Sequence, residues 1–112
     1  MADLDLLLYQ DARGRAPFEG WFRELDAQTQ AKVTVALDRL KRGNASNVAG
    51  AGEGVFELKL DWGPGYRLYF GRDGARIVIL LLGGTKRRQG HDIARAKACW
   101  RDYKSRRPAR QE

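Results

Sequence analysis

The sequence predicts an α+β domain in which helices pack on a four-stranded sheet with mainly antiparallel strands. Its 112 residues suit a single domain with one core. Apolar residues recur at helical spacing in three segments and form four strand-like runs. Short glycine-containing turns separate the last three of these runs, as in an antiparallel meander. The predicted order of elements is therefore β-α-α-β-β-β-α.

The N-terminal part contains a predicted strand followed by a helix. The strand covers the apolar stretch from Leu4 to Tyr9 and ends at "QDARGRAP", where Gly14 and a proline break regular structure. Pro17 suits the first turn of the helix. One apolar face, with spacing i, i+3, i+4 and i+7, is formed by Phe18, Trp21, Phe22 and Leu25.

A second helix is predicted in "DAQTQAKVTVALDRLKRGN". Asp26 is a suitable N-cap, and Gly43 suits the position after the last turn, where Lys41 and Arg42 complement the helix dipole. The two helices form a hairpin whose apolar face needs a sheet to cover it. The segment that follows, "GNASNVAGAGEG" over residues 43–54, is predicted to be a loop.

The C-terminal half contains the meander and a last helix. The predicted strands are Val55–Trp62, Tyr66–Arg72 and Ala75–Gly84. The helix ends before Pro108, and its apolar positions are Ile93, Ala96, Trp100 and Tyr103. Residues 1–112 thus form one domain, with a basic tail over residues 105–112 that could be flexible.

Composition indicates a soluble protein, because 43% of the residues are hydrophobic and 31% are charged. The longest apolar run, Ile77 to Leu82, is too short to span a bilayer. The N-terminus has early acidic residues instead of the basic region of a signal peptide. We therefore expect a cytoplasmic protein with no membrane partner.

The net charge of +7 favours a polyanionic partner, either a nucleic acid or an acidic protein. Charge alone does not distinguish the two. A single cysteine, Cys99, excludes an intramolecular disulfide, and its helical surroundings predict an inert buried thiol. With only one histidine, His91, a histidine-based metal centre is not expected either, and no cofactor is predicted.

The turn "GPG" determines which residues share a face of the sheet, because side chains alternate along a strand. A three-residue loop pairs Trp62 with Tyr66 and places Asp61 opposite Arg67. We favour this register because it gathers six large side chains, and burying each one contributes about 1.5–3 kcal/mol. These six are Phe56, Leu58, Leu60, Tyr66, Leu68 and Phe70. The opposite face carries Glu57, Lys59, Asp61, Arg67 and Tyr69.

The next turn, Asp73-Gly74, predicts a tight hairpin that pairs Arg72 with Ala75. This register places further residues on the Arg67 face, namely Val78, Leu80, Leu82 and Gly84, with Lys86 beyond the strand end. Two interpretations of this face remain open. It is either an ordinary solvent-facing side with weak cross-strand charge pairs or the floor of an anion-binding groove.

The ordered motifs resemble the RelE/ParE toxin superfamily, in its phage-Gp49-like, HigB-type branch of addiction-module killer proteins. They are the "F-x-x-W-F-x-x-L" helix, the "E-L-K-L-D-x-G-P-G-Y-R-L-Y-F" hairpin, the "LLLGG-x-K" strand end and the "DI-x-x-A-x-x-x-W" helix. The resemblance covers nearly the whole chain.

The resemblance implies a toxin paired with an antitoxin, which in this branch often has a helix-turn-helix. Enzymatic members of the superfamily act on the ribosome, where they cleave mRNA without a metal and so inhibit translation. The neighbouring 2′-OH attacks the scissile phosphate and leaves a 2′,3′-cyclic phosphate. Such a reaction needs a proton acceptor, cations for the phosphate and a proton donor for the leaving 5′ oxygen.

The resemblance also implies roles for individual residues. The "G-Y-R-L" match makes Arg67 the arginine that stabilises the transition state, a role that suits its always-charged, two-pronged guanidinium. Lys59 matches a basic position on the preceding strand, and Glu57 or His91 would move protons. For His91, a structural place at the start of a helix is an equal alternative, and for Tyr103 core packing is preferred. The predicted RNA- or phosphate-binding residues are Lys86, Arg87, Arg88 and Tyr69.

Two other functions remain open at this point. The superfamily includes ParE-type toxins that poison DNA gyrase by protein binding, so membership does not by itself establish cleavage. The second alternative is a degenerate relative that only binds nucleic acid.

Overall fold

The computed structural model describes residues 3–107. Its helices are α1 (Pro17–Arg23), α2 (Ala27–Lys41) and α3 (Gln89–Arg106), with a 3₁₀ turn over Lys86–Arg88 before α3. Its strands are β1 (Asp5–Leu8), β2 (Val48–Gly52), β3 (Val55–Lys59), β4 (Tyr66–Asp73) and β5 (Ile77–Thr85). They form one sheet in the order β1-β5-β4-β3-β2. Only the β1–β5 pair in this sheet is parallel.

The predicted α+β class is confirmed, but the predicted number of strands is wrong. Strand β2 lies inside residues 43–54, which were expected to form a loop. Its sequence, VAGAG, consists of small residues and shows no apolar alternation. The strand forms through backbone pairing with β3, in which Val48 lies opposite Leu58, and it closes one edge of the sheet. The N-terminal strand is shorter than predicted and covers only Asp5–Leu8.

The predicted helix ends are confirmed. The Asp26 side chain accepts a hydrogen bond from the Thr29 backbone N–H at 2.7 Å and so caps α2. Gly43 follows that helix with φ of 90°, a left-handed conformation that glycine adopts easily. Pro17 occupies the first turn of α1.

Helices α1 and α2 cover one face of the sheet, which we call the α1/α2 face. The six side chains predicted to share a face all belong to this core. Four of them, Leu58, Leu60, Leu68 and Phe70, are buried, and Phe56 and Tyr66 pack partly buried against the cluster. Phe56 and Phe70 lie opposite each other, with their rings stacked at 5.6 Å.

The predicted pairing of Asp61 with Arg67 is wrong. Arg67 lies opposite Lys59, and the Leu60 N–H donates to the Tyr66 carbonyl at 2.8 Å. The connection therefore spans residues 61–65, and the Gly65 N–H closes it onto the Trp62 carbonyl at 3.1 Å. Because the longer loop preserves the alternation of the strands, Glu57 and Lys59 still share a face with Arg67.

The β4–β5 connection also differs from the prediction. Asp73 pairs with Ile77 and Arg72 with Val78, so Ala75 lies in the turn instead of opposite Arg72. A bulge follows, in which Tyr69 lies opposite Leu82 but Phe70 lies opposite Leu80. Val78 and Leu80 consequently belong to the α1/α2 core and not to the Arg67 face. Leu82 and Gly84 do lie opposite Tyr69 and Arg67, as predicted.

Helix α3 covers the second face of the sheet, which we call the α3 face. Trp100 is buried there against Gly71, where any Cβ atom would overlap the indole. Tyr103 stacks on Trp100 at 5.3 Å, which confirms its predicted place in the packing. Cys99 packs partly buried against the same cluster, and burial raises the pKa of its thiol, as expected for an unreactive cysteine.

Two further features concern the end of α3 and the length and polarity of the helices. Helix α3 ends at Arg106, before Pro108 as predicted, and residues 108–112 of the predicted basic tail lie outside the described residues. Across residues 3–107, every helix is too short or too polar to cross a membrane.

Candidate functional site

The centre of the candidate site is Arg67 on β4. Its side chain is directed to the α3 face and is buried, with only 5% of the residue exposed. The guanidinium Nη1 donates a hydrogen bond to the Gly65 carbonyl at 3.0 Å, and Nε lies 3.4 Å from Glu57 Oε2. Arg67 is therefore directed to a buried carboxylate instead of projecting into solvent.

Glu57 on the neighbouring strand β3 is the buried partner of Arg67. Gln89, in the first turn of α3, donates from its side-chain amide to Glu57 Oε2 at 2.8 Å. A buried ion pair needs such additional hydrogen bonds, because removing two charges from water costs several kcal/mol per ion. Sequence patterns did not identify Gln89, since a glutamine beside a basic run has no distinctive spacing.

Two buried donors in this patch have no hydrogen-bond partner among the described residues. They are Nε of Arg67 and the hydroxyl of Tyr69, whose residue is fully buried. Burial raises the pKa of Tyr69, and the negative charge of Glu57 opposite it raises the pKa further. The hydroxyl therefore stays protonated at neutral pH. Each unsatisfied buried donor costs about 1–3 kcal/mol and so needs an explanation, of which a functional role is one.

Asp92 is a further buried carboxylate that the sequence analysis missed. It lies in the first turn of α3 and packs against Gly84, where any Cβ atom would overlap its carboxylate. Gly84 pairs with Arg67, so Asp92 approaches the sheet beside the candidate site. The signal was present in the "LLLGG" strand end, because glycine inside a strand often marks the close approach of another group.

The cations of the 3₁₀ turn, Lys86, Arg87 and Arg88, are all exposed. The turn is held next to the site because the Lys86 N–H donates to the Gly65 carbonyl at 2.8 Å, the same carbonyl that Arg67 contacts. These side chains therefore form a basic rim at the edge of the buried patch.

His91 lies at the same edge, with 57% of its side chain exposed. Its Nδ1 is 3.1 Å from Arg88 Nη2 and 3.6 Å from Asp92 Oδ1. Lys59 is exposed at the end of β3, directly opposite Arg67 in the sheet. The structure thus brings Glu57, Arg67 and Tyr69 together in a buried patch and places the other predicted residues around its margin.

Within residues 3–107, no three His, Cys, Asp or Glu side chains are grouped so that they could hold a metal ion.

Fold and site together define a small basic α+β domain with a buried arginine–carboxylate pair at one end of its sheet and a basic rim beside it. Residues 20–101 match the family described as "Phage derived protein Gp49-like (DUF891)". The chain belongs to this family of HigB-type killer proteins of toxin–antitoxin systems.

A relative from Haemophilus influenzae, itself an uncharacterized protein, is 38% identical over 81 residues. The aligned region covers 71% of the present chain and 82% of the relative. The similarity therefore extends across most of the domain in both proteins.

Proposed function

We propose that this toxin is a ribosome-dependent mRNA endoribonuclease that inhibits translation. The observation that supports the proposal most directly is the buried Arg67, which is 3.4 Å from Glu57 and has an Nε donor without a hydrogen bond. Family membership supports a killer protein in general, and this patch supplies the groups that phosphate cleavage requires.

In the proposed reaction the ribose 2′-OH attacks the adjacent phosphate. Glu57 or His91 removes the 2′ proton, and a 2′,3′-cyclic phosphate forms as the bond to the 5′ oxygen breaks. The leaving 5′ oxygen takes its proton from His91 if Glu57 is the base, and from water if His91 is the base. Arg67 stabilises the negative charge that grows on the phosphate oxygens, the type of interaction that commonly contributes most to such catalysis.

The surrounding cations would hold the RNA backbone. Lys59 lies opposite Arg67, and the basic rim of Lys86, Arg87 and Arg88 follows β5 directly. Tyr69, protonated at neutral pH, would donate a hydrogen bond to a phosphate oxygen. Because Arg67 and Tyr69 are covered, RNA reaches them only if residues 61–65 or the first turn of α3 move, and Arg67 then exchanges Glu57 for phosphate.

We also propose a partner of the toxin–antitoxin kind, an antitoxin with a helix-turn-helix. An acidic segment of it laid over the basic rim would keep RNA away. Reversing the charges of the rim, in a Lys86→Glu and Arg87→Glu double variant, should weaken the complex at least tenfold in a titration with the purified antitoxin. An Arg76→Glu variant, altered in the β4–β5 turn, should bind normally, and equal affinity of both variants would contradict this mode of neutralisation.

One observation favours a second candidate function, a ParE-type toxin that acts by binding DNA gyrase. Arg67 already has a carboxylate and a carbonyl as partners, so a purely structural role would also explain its burial. In that case expression would cause DNA-damage signalling and leave mRNA intact. A relative that only binds nucleic acid would cause neither effect.

Short induction in cells, followed by primer extension on mRNA, separates these functions. We expect new 5′ ends within codons for the wild type and for Arg72→Ala, which changes an exposed arginine of the same strand. We expect none for Arg67→Ala. Arg67→Lys preserves the buried positive charge and so controls for misfolding. It should lose most cleavage, because an ammonium group cannot form the paired hydrogen bonds by which a guanidinium binds two phosphate oxygens. Growth arrest and mRNA cleavage by folded Arg67→Ala would overturn the proposal.

A further inference from the structure

A cleft lies between helix α2 and residues 58–62, and Lys59 is the one residue that it shares with the margin of the candidate site. Its volume is about 320 Å³, which is within the range of small-ligand sites. Three cations line it, Lys32 and Arg39 from α2 and Lys59 from the end of β3. Asp61 is the one carboxylate among its lining residues, so the cleft is strongly basic.

The cleft also presents apolar surface that the core does not use. Trp62 is only partly buried, and the Lys32 ammonium lies over its ring at 4.7 Å from the centroid. Val35 on α2 is 49% exposed, which makes it one of three large hydrophobic residues exposed within residues 3–107. Burying these side chains against a ligand would be favourable, whereas inorganic phosphate would leave them in water.

One hydrogen bond attaches the Trp62 side chain to helix α2. Its Nε1 donates to Thr29 Oγ1 at 3.4 Å, and Thr29 is buried in the first turn of α2. The indole is therefore held in the lining of the cleft, where the Lys32 ammonium lies over its ring. A base can take the place of this cation, because aromatic stacking and cation–π contact use the same ring face.

From these observations we infer that the cleft binds a single-stranded nucleic-acid segment, with a base on Trp62 and phosphates on Lys32 and Arg39. An aromatic platform flanked by cations is the usual arrangement for such strands. Amide side chains of the same cleft, such as that of Asn47, can bind base edges. The inference rests on this cleft and not on the chemistry of Arg67.

An acidic peptide would satisfy the cations but not the stacking platform. Its carboxylates have no planar ring to place on Trp62, and the polar Asn44, Ser46 and Asn47 interrupt the apolar surface that an amphipathic helix would need. Nucleic acid therefore fits the cleft better, and the peptide is a distinguishable outcome of the test.

The test is fluorescence anisotropy of a labelled oligodeoxythymidine with the purified toxin at low salt. DNA lacks the 2′-OH, so binding is measured without cleavage. Trp62→Ala should weaken binding about 5- to 150-fold, the range expected for loss of one stacked base, while Trp62→Phe should restore most of the affinity. Lys32→Ala and Arg39→Ala should each lower the slope of log affinity against log salt by about 0.7.

Arg76→Ala, in the exposed β4–β5 turn, is the matched charge control and should bind nearly as well as the wild type. Equal affinity of Trp62→Ala and wild type would overturn the inference, as would an equal loss in Arg76→Ala and Lys32→Ala. So would a decaglutamate peptide that binds in a Trp62-dependent manner and displaces the DNA. An Arg67→Ala variant that binds DNA but does not cut mRNA separates this site from the proposed catalytic one.

Discussion

The two faces of the sheet differ in where they place buried charge. The α1/α2 face is a continuous apolar core formed by regular alternation along β3 and β4. The α3 face contains every buried charged residue that the structure describes, namely Glu57, Arg67, Asp73 and Asp92. This difference indicates that the α1/α2 face provides most of the stability. On the α3 face, burying charged groups costs free energy of folding, and a functional role for these groups would explain why they are present.

The α3 face is itself divided along its helix. At the C-terminal part, the Tyr103 hydroxyl donates to Asp73 at 2.6 Å and the Tyr9 hydroxyl donates to Asp102 at 2.6 Å. These short bonds to carboxylates fasten the helix to the sheet. Near the N-terminal part, Arg67 Nε has only an ion pair with Glu57 at 3.4 Å, and neither this Nε nor the Tyr69 hydroxyl has a hydrogen-bond partner among the described residues. The polar groups that face the N-terminal end of α3 are therefore less completely hydrogen-bonded than those that face its C-terminal end.

The largest expected effect concerns the α1/α2 face. Phe70→Ala removes a ring that is 2% exposed and stacked on Phe56, so the free energy of unfolding should fall by about 3–5 kcal/mol. Urea unfolding of the purified variant measures this change. Cleavage per folded molecule should not change, and a loss of stability below 1 kcal/mol would show that this face is not the main core.

A smaller effect is expected from replacing one glycine on each face of the sheet by alanine. A Cβ at Gly71 would overlap Trp100 of α3, and a Cβ at Gly83 would overlap Trp21 of α1. Each alanine substitution should cost about 1–3 kcal/mol through overpacking. Gly71→Ala should also reduce mRNA cleavage per folded molecule, because it displaces the helix that covers Arg67.

Gly83→Ala serves as the control in that comparison and should keep its activity per folded molecule. Thermal unfolding gives the folded fraction of each variant, and primer extension on ribosomes gives the cleavage. If the two variants lost activity equally, the position of α3 would have no special relation to the site.

The smallest effect is on pH dependence. Burial, together with the hydrogen bond to Asp102, raises the pKa of Tyr9 to about 12, whereas tyrosine in an unfolded chain has a pKa of about 10. The stabilising contribution is complete below pH 10 and is lost as the pH rises towards 12, since the unfolded state ionises first. Tyr9→Phe should flatten this decline in urea midpoints between pH 9 and 12, although Tyr69, whose pKa is also raised, will keep part of it.

Sequence patterns predicted the α1/α2 face well, because Phe56, Leu58 and Leu60 alternate with polar residues. They missed β2, whose VAGAG sequence has no alternation and whose structure depends on backbone pairing. They also missed the bulge in β5. In a uniform run of apolar residues, no pattern shows which residue is the extra one that stays unpaired in the sheet.

The sequence predicted that Glu57 and Tyr69 share a face of the sheet with Arg67, but it did not predict that these side chains are buried. Alternation correctly placed Glu57 on the same face of the sheet as Arg67, but the predicted register had Asp61 opposite Arg67, where the structure has Lys59. Burial of Arg67 depends on α3, which is distant in the sequence, and on the contacts of Gln89 and Asp92 with the sheet. The Gln89 contact has no local sequence signature. The Asp92 contact is signalled only by the glycines of β5.

The central claim is that Arg67 acts on phosphate and does not merely pair with Glu57. The most direct measurement is the single-turnover rate of mRNA cleavage on purified ribosomes by wild type, Arg67→Ala and Arg72→Ala, each corrected for its folded fraction. The account predicts a loss of about 10²- to 10³-fold for Arg67→Ala, the usual effect of removing one group that stabilises the transition state, and little change for Arg72→Ala. Equal rates for Arg67→Ala and the wild type would contradict it.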